Sequence, residues 1–314
     1  MRVQGFRTNK RKRRSHYSGV FFIGIAFLAF FIVGIAVSFS IRAYSRHKDY
    51  PKENKQYNTP EKTNSDIEKN EQPQETVAQD FMSDSIAQIC IPSSLEGAAE
   101  QILRRATYIV SYNKETKIPN WVAWHLTADH TDGPYKRLNN FHEDAETPWP
   151  RATLSDYRGS GWSRGHMCPA GDNKWDEKAM YDSFSLVNVC PQNNSLNSGL
   201  WNSIEMDCRR WANLYGDIYI VCGPVLMKKE HETIGENEVV VPEAFFKVVL
   251  CLNGSPKAFG FIVRNTEGNK KHDLYYNSVD QVERITGIDF FPALPDDIEN
   301  EVEAVADIKM WNRK

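Results

Sequence analysis

Two stretches decide how this chain is read. The first is Gly161-Trp162-Ser163-Arg164-Gly165-His166-Met167-Cys168-Pro169-Ala170-Gly171-Asp172, and the second is VNVCPQNNSLNSGLWNSIEMDCRR, residues 187–210. In the first, a histidine follows Arg-Gly in a turn-rich segment. Gly165 is expected to relax the backbone so that the imidazole and a guanidinium project into one cleft. A histidine beside an arginine is by itself no more than an ordinary surface-loop pattern. The second stretch gives it a context. A strand, Ser185–Cys190, leads through Pro191-Gln192 and a polar loop into a helix beginning near Asn197. Asn197, Trp201 and Glu205 stand at i, i+4 and i+8. They share one helix face with a drift of about 40° per step.

An amide oxygen at a helix start and a carboxylate two turns later can meet one hydrated cation. Hard oxygen ligands with retained waters suit Mg²⁺. Trp201 between them reads as packing, and Asn197 also fits a helix N-cap. The combination matches what phosphodiester hydrolysis needs. A water must lose a proton, which suits a histidine. Charge growing on the phosphoryl and leaving oxygens must be stabilised, which suits a divalent metal helped by arginine.

Around this nucleus the pattern is strand-rich. Strands are expected at Ala106–Tyr112, Trp121–Leu126, Ser185–Cys190, Asp217–Gly223, Val239–Leu252 and Ala258–Val263, with helices at Leu95–Arg105, Leu200–Tyr215 and Ser278–Thr286 and a turn at Gly287. Short turns such as Asn253-Gly254-Ser255-Pro256 join many of them. The fold class expected is α+β, a central antiparallel sheet with flanking helices. No internal repeat is present. The six cysteines, Cys90, Cys168, Cys190, Cys208, Cys222 and Cys251, include no CxxC pair, which argues against a zinc ribbon. An even count in an exported domain permits disulfides, with Cys222 and Cys251 as one candidate pair. Buried free thiols are the equal alternative.

The N-terminal part differs in kind. Residues 1–18 are basic, and residues 19–41, GVFFIGIAFLAFFIVGIAVSFSI, carry no charge. A helix of that length rises about 35 Å, enough to span a hydrocarbon core of about 30 Å. The denser basic cluster (Arg2, Arg7, Lys10, Arg11, Lys12, Arg13 and Arg14) precedes it, so residues 42–314 are expected outside the cytoplasm, periplasmic or extracellular. The alternative is a long signal peptide cut after Ser38, giving a secreted protein. Residues 42–85 read as a polar, flexible linker and residues 86–314 as the catalytic domain. The whole chain has a net charge of −3. Residues 1–80 carry 14 Lys and Arg against 8 Asp and Glu, and residues 81–314 carry 24 against 33. An acidic body excludes a tight, broadly basic nucleic-acid binder. It predicts a local positive cleft instead, drawn from Arg151, Arg158, Arg164, Lys174, Arg209 and Arg210.

With these residues in place, the chain resembles the DNA/RNA non-specific endonuclease family, which includes endonuclease G and belongs to the ββα-metal, or His-Me finger, nucleases. The resemblance rests on Arg164-Gly165-His166, on N-x-x-P-Q at Asn188–Gln192, and on N-x-x-x-W-x-x-x-E at Asn197–Glu205. Arg137-x-x-x-Phe141-x-x-Asp144, Val241–Val248 and Val282–Pro292 extend it over roughly residues 105–300.

The resemblance implies His166 as general base, Asn197 as direct Mg²⁺ ligand and Glu205 as holder of the ion's waters. It implies that Asn188 orients the site, Arg137 stabilises the phosphoryl group and Arg164 positions substrate. It further implies one Mg²⁺, with Mn²⁺ able to substitute, DNA and RNA substrates, and 5′-phosphate products. The family commonly has Asp before Arg-Gly-His, whereas Ser163 stands there in this chain. Two other readings stay open: a non-catalytic nucleic-acid-binding or uptake protein, and a metal phosphodiesterase for smaller nucleotides. Oligomeric state is not legible in the sequence.

Overall fold

The structure is a computed structural model that describes residues 88–311. The expected membrane span, basic N-terminus and most of the linker lie outside the described residues. Among the described residues no helix is long and apolar enough to cross a membrane.

Eleven strands are described: β1 (Gln101–Arg104), β2 (Ile109–Asn113), β3 (Ile118–Thr127), β4 (Ser163–His166), β5 (Val189–Gln192), β6 (Asp217–Val225), β7 (Thr233–Ile234), β8 (Val239–Val240), β9 (Ala244–Cys251), β10 (Lys257–Arg264) and β11 (Tyr276–Asn277). Seven form one sheet in the order β1-β2-β3-β6-β9-β10-β11. Every pairing in it is antiparallel. Two-stranded sheets β4-β5 and β7-β8 stand apart. The mixed α/β architecture with a central antiparallel sheet is the one expected.

The central strands are apolar on both faces because both faces are covered. In β9, Phe245, Val249 and Cys251 enter one core cluster, and Phe246, Val248 and Leu250 enter the other. Four helices of seven or more residues flank the sheet: α1 (Glu177–Ser183), α2 (Asn202–Tyr215), α3 (Val279–Thr286) and α4 (Asp296–Glu303). Helix α2 buries Ile204, Cys208, Trp211 and Ala212, spaced for one face, in the first cluster. Val279 and Val282 of α3 and Val302 of α4 enter the second. The strands β4 and β5 and helix α2 therefore lie on one side of the sheet, with α3 and α4 on the other.

Three elements differ from expectation. Leu95–Arg105 is no helix: residues 95–100 form a turn and irregular chain, and only Gln101–Arg104 is regular, as an edge strand. Gly97 sits at φ +75°, in the left-handed region that ends helices. Val239–Leu252 is broken into β8 and β9 around Pro242, which has no N–H to donate to a ladder. Ser185–Cys190 begins with a short 3₁₀ turn, Leu186–Asn188, and becomes a strand only at Val189. The cysteine alternative is also resolved. All six, Cys222 and Cys251 included, are buried free thiols. Burial pushes the Cys90 thiol up to about 12 and the Cys222 thiol up to about 11, so neither carries thiolate at neutral pH.

Candidate active site

The site is built on β4, β5 and the helical segment after them. Strand β4 pairs antiparallel with β5, His166 opposite Val189 and Gly165 opposite Cys190. Gly165 is required for a reason other than the turn expected of it. A Cβ added there would lie 2.5 Å from Gln192 Cβ. Only glycine lets the two strands approach around this buried glutamine.

From β5 the chain enters a helix at Asn194. Its N-cap is Asn193, not Asn197: the Asn193 side chain accepts from the N–H groups of Ser195 and Leu196. Asn193 N–H in turn donates to Asn265 Oδ1, and Asn265 Nδ2 donates to the carbonyls of Pro191 and Pro242. Asn265 is a buried brace that no sequence pattern announced. The helix then widens over Asn197–Trp201, with Gly199 at φ −105°, ψ −105°, before continuing as α2. Asn197 thus lies inside the helical segment, at a widened turn of a kind found often at functional sites.

Trp201 is fully buried, as its packing role requires, and its indole N–H donates to the His166 carbonyl at 3.3 Å. It therefore couples the helix to β4. Asn197 on one side of it and Glu205 on the other are half-buried. Neither side chain has a hydrogen-bond partner among the described residues. Asn197 lines the cleft with Arg137 and Arg164, and Arg137 acts on both His166 and Glu205; an amide oxygen and a carboxylate on one helix fit the donor set of a hydrated hard cation.

His166 is 6% exposed. Its ring packs against Phe141 at 5.1 Å and Phe184 at 5.0 Å between centroids. Each phenylalanine carries an arginine: Arg164 lies 4.3 Å over Phe141 and Arg137 lies 5.4 Å over Phe184. Imidazole Nε2 has no hydrogen-bond partner among the described residues. Burial first, then the charges of Arg137 and Arg164, lower the His166 pKa to about 3. The ring is consequently neutral, with a lone pair available, throughout the physiological range. Arg137 also acts on Glu205, so one guanidinium influences both the imidazole and the carboxylate.

Burial pushes Glu205 up to about 7, against the opposing charge of Lys247. Lys247, on β9, is fully buried with its ammonium 4.8 Å from the rings of both Trp124 and Trp201. Arg137, Phe141 and Asp144 lie in an irregular segment, and each is placed by what it contacts. Asp144 is fixed by Arg105 at 2.6 Å and by the Ser185 hydroxyl at 3.1 Å. Phe141 packs on His166, and Arg137 faces the cleft.

Asn188 stands behind the site. It is fully buried, accepts from Cys168 N–H at 2.8 Å, and donates to the carbonyls of Cys168 and Ser183, both at 2.8 Å. Its bonds hold the chain that follows His166. Replacing Asn188 with Ala leaves three buried backbone groups without their partner, each costing about 1–3 kcal/mol. We expect Tm to fall by roughly 10 °C and turnover to fall with KM little changed. Thermal unfolding and steady-state kinetics of the variant check this, and a KM effect alone contradicts the role.

Beside this group lies a cleft of about 510 Å³ whose lining includes Arg137, Arg158, Arg164, Tyr157, Trp162 and Asn197, and no carboxylate among the described residues. The expected positive cleft on an acidic body is present, but its arginines are only partly those expected. Arg209 is bound to buried Asp172 at 2.8 Å, Arg210 to Asp207 at 3.1 Å and Arg151 to Glu143 at 3.2 Å. Lys174 is not among the lining residues. Trp162, which sequence reasoning gave no role, supplies partly exposed aromatic surface, and buried Tyr157 forms part of the floor. Ser163 donates to Asn194 Oδ1, tying β4 to the helix start.

A match to known sequences now has a geometry to stand on. Residues 86–297 match the model of the DNA/RNA non-specific endonuclease family. The chain belongs to that family. Among its relatives, nuclease EXOG, mitochondrial, of Mus musculus is 36% identical over 63% of this chain and 58% of its own length. Nuclease C1 of Cunninghamella echinulata var. echinulata is 34% identical over 68% of this chain and 89% of its own length. A crystal structure of an EndoG/EndoGI complex superposes with TM-score 0.62 at 27% identity, over 68% of this chain and 94% of that one. This chain spans under two thirds of the length of the EXOG relatives it matches.

Proposed function

We propose that this protein is a Mg²⁺-dependent endonuclease that hydrolyses phosphodiester bonds of DNA and RNA, its catalytic unit being the β4-β5-helix arrangement of a His-Me finger. The observation that carries the proposal is the neutral imidazole of His166, its Nε2 buried without a partner among the described residues between two arginine-bearing phenylalanines, with Arg137 acting also on Glu205 and lining one cleft with Asn197. Membership of the family and the names of the relatives support it.

His166 takes the proton of the attacking water at its imidazole nitrogen. Burial weakens that base but keeps it unprotonated. Arg137, and Arg164 beside it, meet the charge that grows on the phosphoryl oxygens. Asn197 would hold the cation directly and Glu205 through water. The cation supplies charge neutralisation at the phosphoryl and leaving oxygens. Arg158 and Arg164 bind backbone phosphates, and the partly exposed Trp162 offers a face to bases or sugars. Such contacts carry little sequence information, in keeping with broad substrate use.

The test is to incubate the full chain with supercoiled plasmid and with RNA, with Mg²⁺ or with chelator. Nicking of the plasmid and degradation of the RNA are expected with Mg²⁺ alone. Salt-sensitive binding without cleavage would favour an uptake role instead. Turnover of small nucleotide diesters without plasmid nicking would favour a small-molecule phosphodiesterase.

The apolar run 19–41 and the basic residues before it support a tethered enzyme whose catalytic domain lies outside the cytoplasm. Protease shaving of intact cells should remove the domain. A domain that stays protected contradicts this topology.

A further inference from the structure

On the sheet face away from the catalytic cleft, three carboxylates converge from two helices. Asp280 and Glu283 lie on α3 and Glu303 is the last residue of α4. One ligand oxygen of each lies within 4.8 Å of the others. Glu303 is 7% exposed, and its Oε1 is enclosed with no hydrogen-bond partner among the described residues. A buried, unpartnered carboxylate oxygen is costly unless something positive meets it.

Among the described residues no basic side chain is seen to answer that need. Besides burial, the groups acting on Glu303 are Glu283, Glu299, Asp280 and Asp289, all acidic. Glu283 accepts from Phe290 N–H at 2.8 Å, which fixes its direction, and its other charged neighbours are Asp289, Asp280 and Glu299.

The spacing has a simple metric reading. Oxygens bound to opposite sides of one Ca²⁺, each at about 2.4 Å, are about 4.8 Å apart. Three carboxylates that close together are within the span of one such ion. Asp280 and Glu283 are half-buried, so water can reach the remaining coordination positions. Three converging carboxylates suit Ca²⁺, which accepts many oxygen ligands in loose geometry. Mg²⁺ prefers one or two carboxylates and keeps most of its waters.

We propose that Asp280, Glu283 and Glu303 form a structural site for a hard divalent cation of the calcium class, fastening α4 to α3. The ion neutralises Glu303 and ties the end of α4 to a helix already anchored in the second core through Val279 and Val282. Without it, Glu303 is buried among acids, with no positive group acting on it among the described residues. Because α3 and α4 lie across the sheet from His166, the ion stabilises the fold and leaves the cleavage chemistry alone.

The test uses the full chain purified in detergent, with Asn197→Ala as background so that the catalytic cleft does not contribute. Equilibrium dialysis with radiolabelled Ca²⁺ should find one ion per chain. Glu303→Gln and Asp280→Asn should each weaken it at least tenfold. Thermal unfolding in millimolar Ca²⁺ against chelator should show a rise of roughly 5 °C for the parent, and little or none for either variant. In chelator Glu303→Gln should be at least as stable as the parent, since it replaces a buried ionisable carboxyl among acids with a neutral amide. Absence of a bound ion, or an equal calcium-dependent rise in a folded variant, overturns the proposal. If Glu303→Gln fails to fold, the half-buried Asp280→Asn variant decides.

Discussion

Replacing His166 with alanine is expected to reduce cleavage of plasmid and RNA by about 10²–10⁴-fold, the usual share of a positioned general base. The loss should fall on kcat. The arginines that line the cleft remain, so KM should stay within a few-fold of the parent. Because the ring fills the space between Phe141 and Phe184, its removal leaves a cavity, and Tm should fall as well. That cavity is also a diagnostic. Free imidazole of the same shape should enter it and restore part of the activity, whereas a merely structural histidine would allow recovery of Tm without recovery of turnover. Wild-type rates in the variant, under all metal conditions, would remove His166 from the chemistry.

The depressed pKa of His166 makes a second, separable prediction. Its folded value is about 3, against about 6.5 in an unfolded chain. Between those values the unfolded chain binds a proton that the folded one does not, so stability falls as pH drops from about 6.5 toward 3. His166→Ala should flatten that slope in a pH series of unfolding free energies. For activity the sign is the same but the position differs. The base remains unprotonated well below pH 6, so an acid limb near neutrality in the rate profile has to come from another group.

The sequence carried much of this, unevenly. The β6 and β10 strands were legible as short runs rich in β-branched and aromatic residues, and α2 because its apolar residues fall on one helical face. Leu95–Arg105 misled because its apolar residues happen to fall at helical spacing. Pairing of Gln101–Arg104 with β2, and Gly97 in the left-handed region, override that local pattern. At the site, His166, Asn197, Glu205 and Arg137 were legible because each lies in a short ordered motif. What surrounds them was not. Phe184, Lys247 and Asn265 reach the site from separate elements, with no periodic signal connecting them to it. The role of Gly165 was misread for the same reason, since Gln192, the group that demands a glycine, lies across the β4-β5 pair. Nor could sequence say which arginines are spent on internal ion pairs, as Arg209 is on Asp172.

The two oxygen-bearing residues on the helix should fail differently when altered, and the difference assigns their roles. On the proposed mechanism Asn197→Ala removes the direct ligand, so turnover should fall at least 10²-fold and should not recover with added Mg²⁺. Glu205→Gln keeps the shape but removes the charge that orients the ion's waters. Loss of such an outer partner typically weakens metal affinity by about 10–100-fold, so activity should return as Mg²⁺ is raised. Titration of rate against Mg²⁺ separates the two.

The pH dependence separates them further. Burial raises Glu205 to about 7 in the metal-free protein, with Lys247 opposing. Below that pH it is protonated and neutral, and binding of a cation requires the proton to leave. Apparent Mg²⁺ affinity should therefore drop as pH falls through about 7. At limiting Mg²⁺ the acid limb of the rate profile should lie near 7, and it should move to lower pH as Mg²⁺ is raised. In Glu205→Gln that movement should disappear. A parent acid limb that stays fixed at every Mg²⁺ concentration would mean that Glu205 does not hold the ion, and would leave Asn197 as the metal-binding residue of this helix.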